Sequence, residues 1–290
     1  MTGDGAAAHA AGRRALVLGG GGITGIAWEW GILAGLAEAG LDLGAADLVV
    51  GTSAGSLVGA QVASGIDPEV RYQAQLAGAG DEAPARVGRS VVARWAWAAV
   101  RSRTPEGLGA RIGRQALAAR TVPEAERRAV IESRLPVREW PGRPLRITAV
   151  DAVTGALAVF DREAGVPLVD AVGASCAVPG VWPPVTIGGR RYVDGGLRSA
   201  ANADLAAGHR AVLVLAPTTA GFGPMASVGR QVAALRRAGS RVAVVSPGRR
   251  EREAFGGNSL DPAGRAPAAR AGRAQAPSVA AAVRAVWEDA

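Results

Sequence analysis

The sequence predicts an α/β protein with a central, mostly parallel sheet, helices on both faces and a helical insertion. Three observations predict it. Short apolar runs of strand length alternate with segments of helical spacing. The first two runs each end in a glycine-rich turn that opens a helix. The stretch after them is interrupted by prolines but otherwise helical in pattern.

The elements follow in order. Arg14–Leu18 (RALVL) is an apolar run ending in Gly19–Gly22. From Gly25 on, Ile26, Trp30, Leu33, Ala34 and Ala37 recur at helical spacing, and Gly40 closes that helix. Asp47–Val50 is the second run. It leads directly into Gly51-Thr52-Ser53-Ala54-Gly55 and the small-residue segment Ser56–Ala63, which reads as a buried helix. Residues 67–140 read as helices broken at Pro84, Pro105, Pro123 and Pro136. Strand signals return at Leu145–Val150 and Ala156–Phe160. Val185–Ile187 and Arg190–Val193 flank Gly188-Gly189, a hairpin turn. Ala211–Leu215 and Val242–Val245 are buried-strand runs. Residues 248–277, rich in Arg, Gly, Ala and Pro, read as a loop entering a last helix. The expected organisation is a flexible tail over residues 1–12 and one domain over 13–288, with the helical insertion at about 78–142.

Composition narrows the function. With 49% hydrophobic and 20% charged residues in 290, a sizeable core forms and wholesale disorder is excluded. One cysteine and two histidines exclude a disulfide framework and a Cys- or His-rich metal centre. No metal and no cofactor are expected. Thirty-three basic residues, all Arg, stand against 25 acidic ones, a net charge of +8. Residues 81–145 hold 13 Arg and seven Asp+Glu, so +6 of the charge lies there. Exclusive use of Arg beside heavy Ala and Gly content reads as a genome-wide bias, so no nucleic-acid partner is expected. The start, MTGDGAAAHAAGRR, carries no secretory pattern, and no run of 18 apolar residues occurs. The expectation is a cytoplasmic protein, at most peripheral to a membrane.

Three motifs carry chemistry. Gly51-Thr52-Ser53-Ala54-Gly55 is a G-x-S-x-G on a strand-to-helix turn. Such a turn lifts the serine Oγ clear of the sheet and aims the next N–H, that of Ala54, at a developing oxyanion. By chance this chain would hold about 0.26 such matches, so context and not the pattern gives it weight. Gly20-Gly21-Gly22-Ile23-Thr24-Gly25 offers backbone N–H groups at a helix start, an anion site. It also fits G-x-G-x-x-G, but a dinucleotide site wants an acid at the end of the second strand, and Gly51-Thr52-Ser53 stands there. Asp194-Gly195-Gly196 is a turn signal and also the best-placed carboxylate base. His9 falls in the expected tail. His209 precedes a strand, at the end away from the glycine turns.

Together these motifs resemble the patatin-like phospholipase family, which carries G-G-G-x-R-G, G-x-S-x-G and D-G-[AG] in this order. Ala174-Ser175-Cys176-Ala177-Val178-Pro179-Gly180 followed by Pro183-Pro184 resembles the stretch the family places before its Asp, and Asn202 its downstream Asn. The likeness covers roughly residues 13–216. It implies a patatin-like fold and a serine lipid acyl hydrolase. Ser53 would be nucleophile and Asp194 proton acceptor. Gly20, Gly21, Gly22 and Ala54 would form the oxyanion hole, with Gly25, Gly51, Gly55, Gly195 and Gly196 shaping the motifs. The departure is Thr24, where the family usually has Arg.

The expected substrate is a lipid or other carboxylic ester. Arg94–Arg103, which mixes Trp95 and Trp97 with Arg, is the expected contact with anionic membrane, the other reading being a cap helix with buried Trp. Two further readings stay open. One is an α/β-hydrolase-type esterase with a triad of Ser53, Asp170 or Asp194, and His209. The other is a non-catalytic nucleotide-binding or regulatory module built on the glycine loop.

Overall fold

The computed structural model describes residues 14–77 and 84–288. The expected tail, with His9, lies outside them, as do residues 78–83 at the start of the expected insertion.

The chain opens with β1 (Arg14–Leu18), α1 (Gly22–Glu38), β2 (Leu48–Thr52) and α2 (Ala54–Ala63). Four helices follow before the next strand: α3 (Pro68–Leu76), α4 (Arg89–Val100), α5 (Pro105–Leu117) and α6 (Glu124–Arg134). The prolines act as starts: Pro68 and Pro105 open α3 and α5, where a missing N–H costs nothing. Then come β3 (Leu145–Asp151), β4 (Leu157–Phe160), α7 (Leu168–Ser175), β5 (Val185–Ile187) and β6 (Arg190–Asp194). The chain finishes with β7 (Ala211–Leu215), α8 (Val228–Arg237), β8 (Arg241–Val245), α9 (Arg249–Phe255) and α10 (Arg265–Trp287).

The eight strands form one sheet in the order β5-β6-β3-β2-β1-β7-β8, with β4 also paired to β3. The five strands from β3 to β8 run parallel; β4, β5 and β6 join antiparallel. The fold is therefore α/β with a mixed, mostly parallel sheet. Period-two alternation divides its core. Leu16 and Leu18 of β1 face α1, α2 and α10, while Ala15 and Val17 face α8. A third cluster seats α4 and α5 over β3 and β6 through Ala98, Leu108, Ile112 and Val150.

Residues 248–277 are not a loop. They form α9, a short connection and most of α10, with Pro277 inside the helix. The buried stripe of α10 is Ala268, Ala269, Gly272, Ala276, Val283 and Trp287. It has helical spacing, but four of its six residues are Ala or Gly, which composition alone makes indistinguishable from bias. These small residues let α10 lie against α1, where Trp28 Nε1 donates to Gln275 Oε1 at 2.8 Å.

Candidate active site

Ser53 sits between β2 and α2 with φ 53° and ψ −121°, a strained backbone for a side-chain-bearing residue, worth about 1–3 kcal/mol. The surroundings hold it there. The Ser53 N–H donates to Ser175 Oγ at 2.8 Å, and its carbonyl accepts from Ser56 Oγ at 2.7 Å and Cys176 Sγ at 3.2 Å. The turn also demands its flanking glycines. A Cβ on Gly51 would lie 2.5 Å from Ser56 Cα, and one on Gly55 would run into the Leu18 carbonyl.

The sheet register delivers the carboxylate. Thr52 pairs with Thr148 in β3, and the next β3 residue, Ala149, pairs with Asp194 of β6. Ser53 and Asp194 thus reach the same row from either side of β3. Ser53 Oγ donates to Asp194 Oδ2 at 2.7 Å, and the Gly196 N–H donates to Asp194 Oδ1 at 2.7 Å. Burial pushes the Asp194 carboxyl up to about 6; the hydrogen bonds from Ser53 and Gly196 only partly oppose this. Cys176 is half-buried beside Asp194; desolvation and the neighbouring carboxylate push its thiol up to about 11, so it stays protonated.

Asn202 ties the row together. Its backbone is left-handed, and its Nδ2 lies 3.0–3.2 Å from Thr52 Oγ1, Thr148 Oγ1, Gly195 O and Ser199 O. Arg198 donates to Asn202 Oδ1 at 2.8 Å and pairs with Asp204. One amide therefore joins the residue before Ser53 to the residue after Asp194.

The glycine loop leaves β1 beside β2. Gly22 takes φ +63°, and a Cβ there would lie 2.6 Å from the Ser259 carbonyl. Gly21, and Gly22 and Ala54 at the first positions of α1 and α2, have no intrahelical acceptor for their N–H groups. Gly20 differs from expectation: its N–H donates to the Ala200 carbonyl at 2.7 Å, so it is not available to an oxyanion. Thr24, in the position of the family Arg, is wholly buried and donates weakly to the Gly21 carbonyl at 3.5 Å.

His209 lies before β7, at the opposite end of the sheet, with Nδ1 at 3.1 Å from the Ala206 carbonyl. Asp170 is on α7 and pairs with Arg128 at 2.7 Å. Neither joins Ser53.

A family model of patatin-like phospholipases matches residues 16–207, which hold the glycine loop, Ser53, Asp194 and Asn202. The chain belongs to the patatin-like phospholipase family. This membership implies lipid acyl hydrolysis. Among solved structures, VipD from Legionella pneumophila aligns with a TM-score of 0.48 at 13% identity, over 93% of this chain and 67% of VipD. The type III effector protein ExoU aligns with a TM-score of 0.40 at 17% identity, over 96% of this chain and 56% of ExoU. No curated protein shows a significant match.

Two cavities meet at Ser53. One, of about 480 Å³, lies toward α6 and is lined by Ile23, Ile26, Arg127, Arg134 and Trp182. The other, of about 250 Å³, includes Asp194 and the glycine loop and is walled by Val87, Trp95 and Phe222. Sequence reasoning assigned no role to the α6 residues. Their signal is the seven-residue spacing of Arg127 and Arg134, two turns apart on one helix face.

The stretch containing α4 divides its tryptophans. Trp95 is half-buried and stacks on Phe222, ring centroids 6.4 Å apart. It belongs to the cavity wall, against the expectation that it meets a membrane. Trp97 is 54% exposed.

Proposed function

We propose that the protein hydrolyses lipid carboxylic esters through a Ser53–Asp194 dyad. Ser53 Oγ attacks the acyl carbon while its proton passes to Asp194 Oδ2. The N–H groups of Gly21, Gly22 and Ala54 stabilise the tetrahedral oxyanion; each such donor is typically worth about 10²–10³-fold in rate. The carbonyl re-forms, the alkoxide leaves with the proton from Asp194, and an acyl ester remains on Ser53. Water attacks that ester while Asp194 takes its proton. Collapse returns the proton to Ser53 Oγ and releases the fatty acid.

The observation that carries this reading is the 2.7 Å hydrogen bond from a strained, elbow-borne serine to a buried carboxylate. A raised pKa makes Asp194 a better base while leaving it ionised at neutral pH. The triad reading lacks its histidine, which lies across the sheet. The nucleotide-module reading lacks a ribose acid at the end of β2.

Substrate access is proposed to run through α4. Val92, Trp97 and Val100 are 51%, 54% and 86% exposed on it, beside exposed Arg94 and Arg101. The same helix carries Trp95 into the cavity wall at Ser53, so a bilayer touching α4 lies next to the site.

The decisive experiment is covalent labelling with a fluorophosphonate, mapped by mass spectrometry. The expected adduct is on Ser53 and is lost in Ser53→Ala. An unmodified wild-type protein, or an adduct elsewhere, overturns the reading.

A further inference from the structure

Gln231 is the one polar residue in the buried stripe of α8, whose other members are Val228, Val232 and Leu235. It is 5% exposed. A buried amide needs hydrogen-bond partners, and those of Gln231 lie in residues 198–204, just after the Asp194 turn. Gln231 Oε1 accepts from Ser199 Oγ at 2.8 Å and from the Ala203 N–H at 3.0 Å. Both lone pairs of that oxygen are thereby used. Gln231 Nε2 donates to Asp204 Oδ1 at 2.6 Å, and Arg198 holds the same carboxylate from the other side. Ser199 Oγ in turn accepts from the Asn202 N–H at 3.3 Å.

This segment touches every part of the site. The Ala200 carbonyl holds the Gly20 N–H at 2.7 Å, at the root of the glycine loop. Asn202 Nδ2 reaches Thr52 Oγ1, beside Ser53, at 3.1 Å and Gly195 O, beside Asp194, at 3.2 Å. Asn202 keeps a left-handed backbone, which a residue with a side chain holds only where its surroundings fix it. Gln231 fixes the chain on both sides of it, at Ser199 and at Ala203. We propose that Gln231 is a positioning residue: it sets the 198–204 segment and, through it, the mutual placement of the glycine loop, Ser53 and Asp194. Gln231 lines neither cavity at Ser53 and lies beyond residues 16–207, the part matched to the family. Its effect on rate rests on the hydrolase reading; the mechanical link does not.

The test compares Gln231→Met, which keeps the side-chain length and removes the three hydrogen bonds, with Val232→Ala, which loosens the same helix and removes none. Two readouts are taken: hydrolysis of p-nitrophenyl butyrate, and amide hydrogen exchange followed by NMR. Gln231→Met should lower kcat by about tenfold to a hundredfold with KM within about twofold, since displacing reacting groups by about 1 Å costs up to about 10²-fold. Its Gly20 amide should exchange at least about tenfold faster, because the Ala200 carbonyl no longer stays in place. Val232→Ala should lower the melting temperature while leaving kcat within about twofold. The polarity swap Gln231→Glu with Asp204→Asn keeps donors matched to acceptors and should restore most of kcat. Should Gln231→Met fail to fold, Ser199→Ala, which removes one hydroxyl of the link, should give the same split between kcat and KM at several-fold size. Unchanged kcat or unchanged Gly20 exchange in Gln231→Met overturns the proposal. So does an equal loss of kcat in Val232→Ala, which would be general loosening. A wild-type protein that neither cleaves the ester nor takes a fluorophosphonate, with Gly20 exchange still faster in Gln231→Met, defeats the hydrolase reading and leaves the link standing.

Discussion

Asp194 Oδ2 accepts the Ser53 hydroxyl at 2.7 Å although 141 positions separate the two residues. The pairings of β3, with Thr52 on one side and Asp194 on the other, set that distance. The one described histidine, His209, lies at the other end of the sheet. Asp194→Asn keeps the shape but cannot take a proton, so hydrolysis of a soluble short-chain ester should fall by about three orders of magnitude or more. His209→Ala should leave kcat/KM within about twofold. Steady-state kinetics on the two variants decides between a dyad and a triad, and a large loss in His209→Ala would mean a triad.

The same carboxyl should govern the pH profile. Only the ionised form accepts the Ser53 proton, and burial raises its pKa to about 6. kcat/KM should climb with pH through about 6 and then level. The stability effect runs the other way. A folded pKa above the ordinary 3.8 means a contribution fully present below 3.8 and lost as pH rises through about 6. At pH 8 Asp194→Asn should therefore melt no lower than wild type. A kinetic midpoint near 4 would mean a solvated base.

Asn202 acts through its neighbours. Asn202→Gly removes the amide while tolerating the left-handed backbone. The two Nδ2 protons of Asn202 are shared among four acceptors, of which Thr52 and Thr148 also bond each other and Gly195 O also accepts from the Arg198 N–H. At most two hydrogen bonds are therefore lost, each worth about 1–3 kcal/mol where the acceptor is left unsatisfied. The melting temperature should drop by several degrees. kcat should fall about tenfold or more with KM little changed, because the amide touches the serine and aspartate turns and not the cavities. Equal changes in kcat and KM would argue for general loosening.

Much of this was legible in the sequence. Apolar runs located all eight strands to within a residue or two: the five parallel ones are near-continuous buried runs, and the Gly188-Gly189 turn marked the β5–β6 hairpin. Ser53, Asp194 and the glycine loop stood out because tight turns require glycine at fixed spacing. What escaped depended on tertiary register. Nothing local says that the Gly20 N–H is already given to Ala200. Nor does it say that Trp95 turns inward while Trp97 does not, or that α6 brings Arg127 and Arg134 to Ser53. The last helix was expected, but the first half of α10 was read as loop because an alanine stripe has almost no hydrophobic contrast.

Glu29 of α1 is fully buried, and neither carboxylate oxygen has a hydrogen-bond partner. Burial raises its pKa well above the ordinary 4.5. The Gly19 N–H, already donated to the Leu215 carbonyl, offsets little of that. Its contribution to stability is complete below 4.5 and is lost as pH rises through the elevated folded value. Glu29→Gln should therefore gain melting temperature over wild type as pH rises and lose that advantage in acid. Calorimetry from pH 5 to 9 would show the two curves diverging; parallel curves would mean that the carboxyl is not neutral in the fold.

The last prediction concerns the membrane. Trp97 and Val100 are exposed on α4, and the Arg101 guanidinium lies 5.6 Å from the Trp97 ring centroid. Trp suits the headgroup level, and each Arg near an anionic surface contributes on the order of 1 kcal/mol, which salt screens. Vesicles containing phosphatidylglycerol should therefore bind the protein, less so as salt rises, and pure phosphatidylcholine vesicles should bind it poorly. Trp97→Ala should weaken vesicle binding even at low salt without lowering the melting temperature, because that indole packs against nothing in the core. Trp95→Ala should do the reverse. Its ring stacks on Phe222, so its loss should lower the melting temperature by removing packing of about 3–5 kcal/mol at most. If Trp97→Ala binds vesicles like wild type while Trp95→Ala does not, the membrane contact lies at the cavity mouth and not on the outer face of α4.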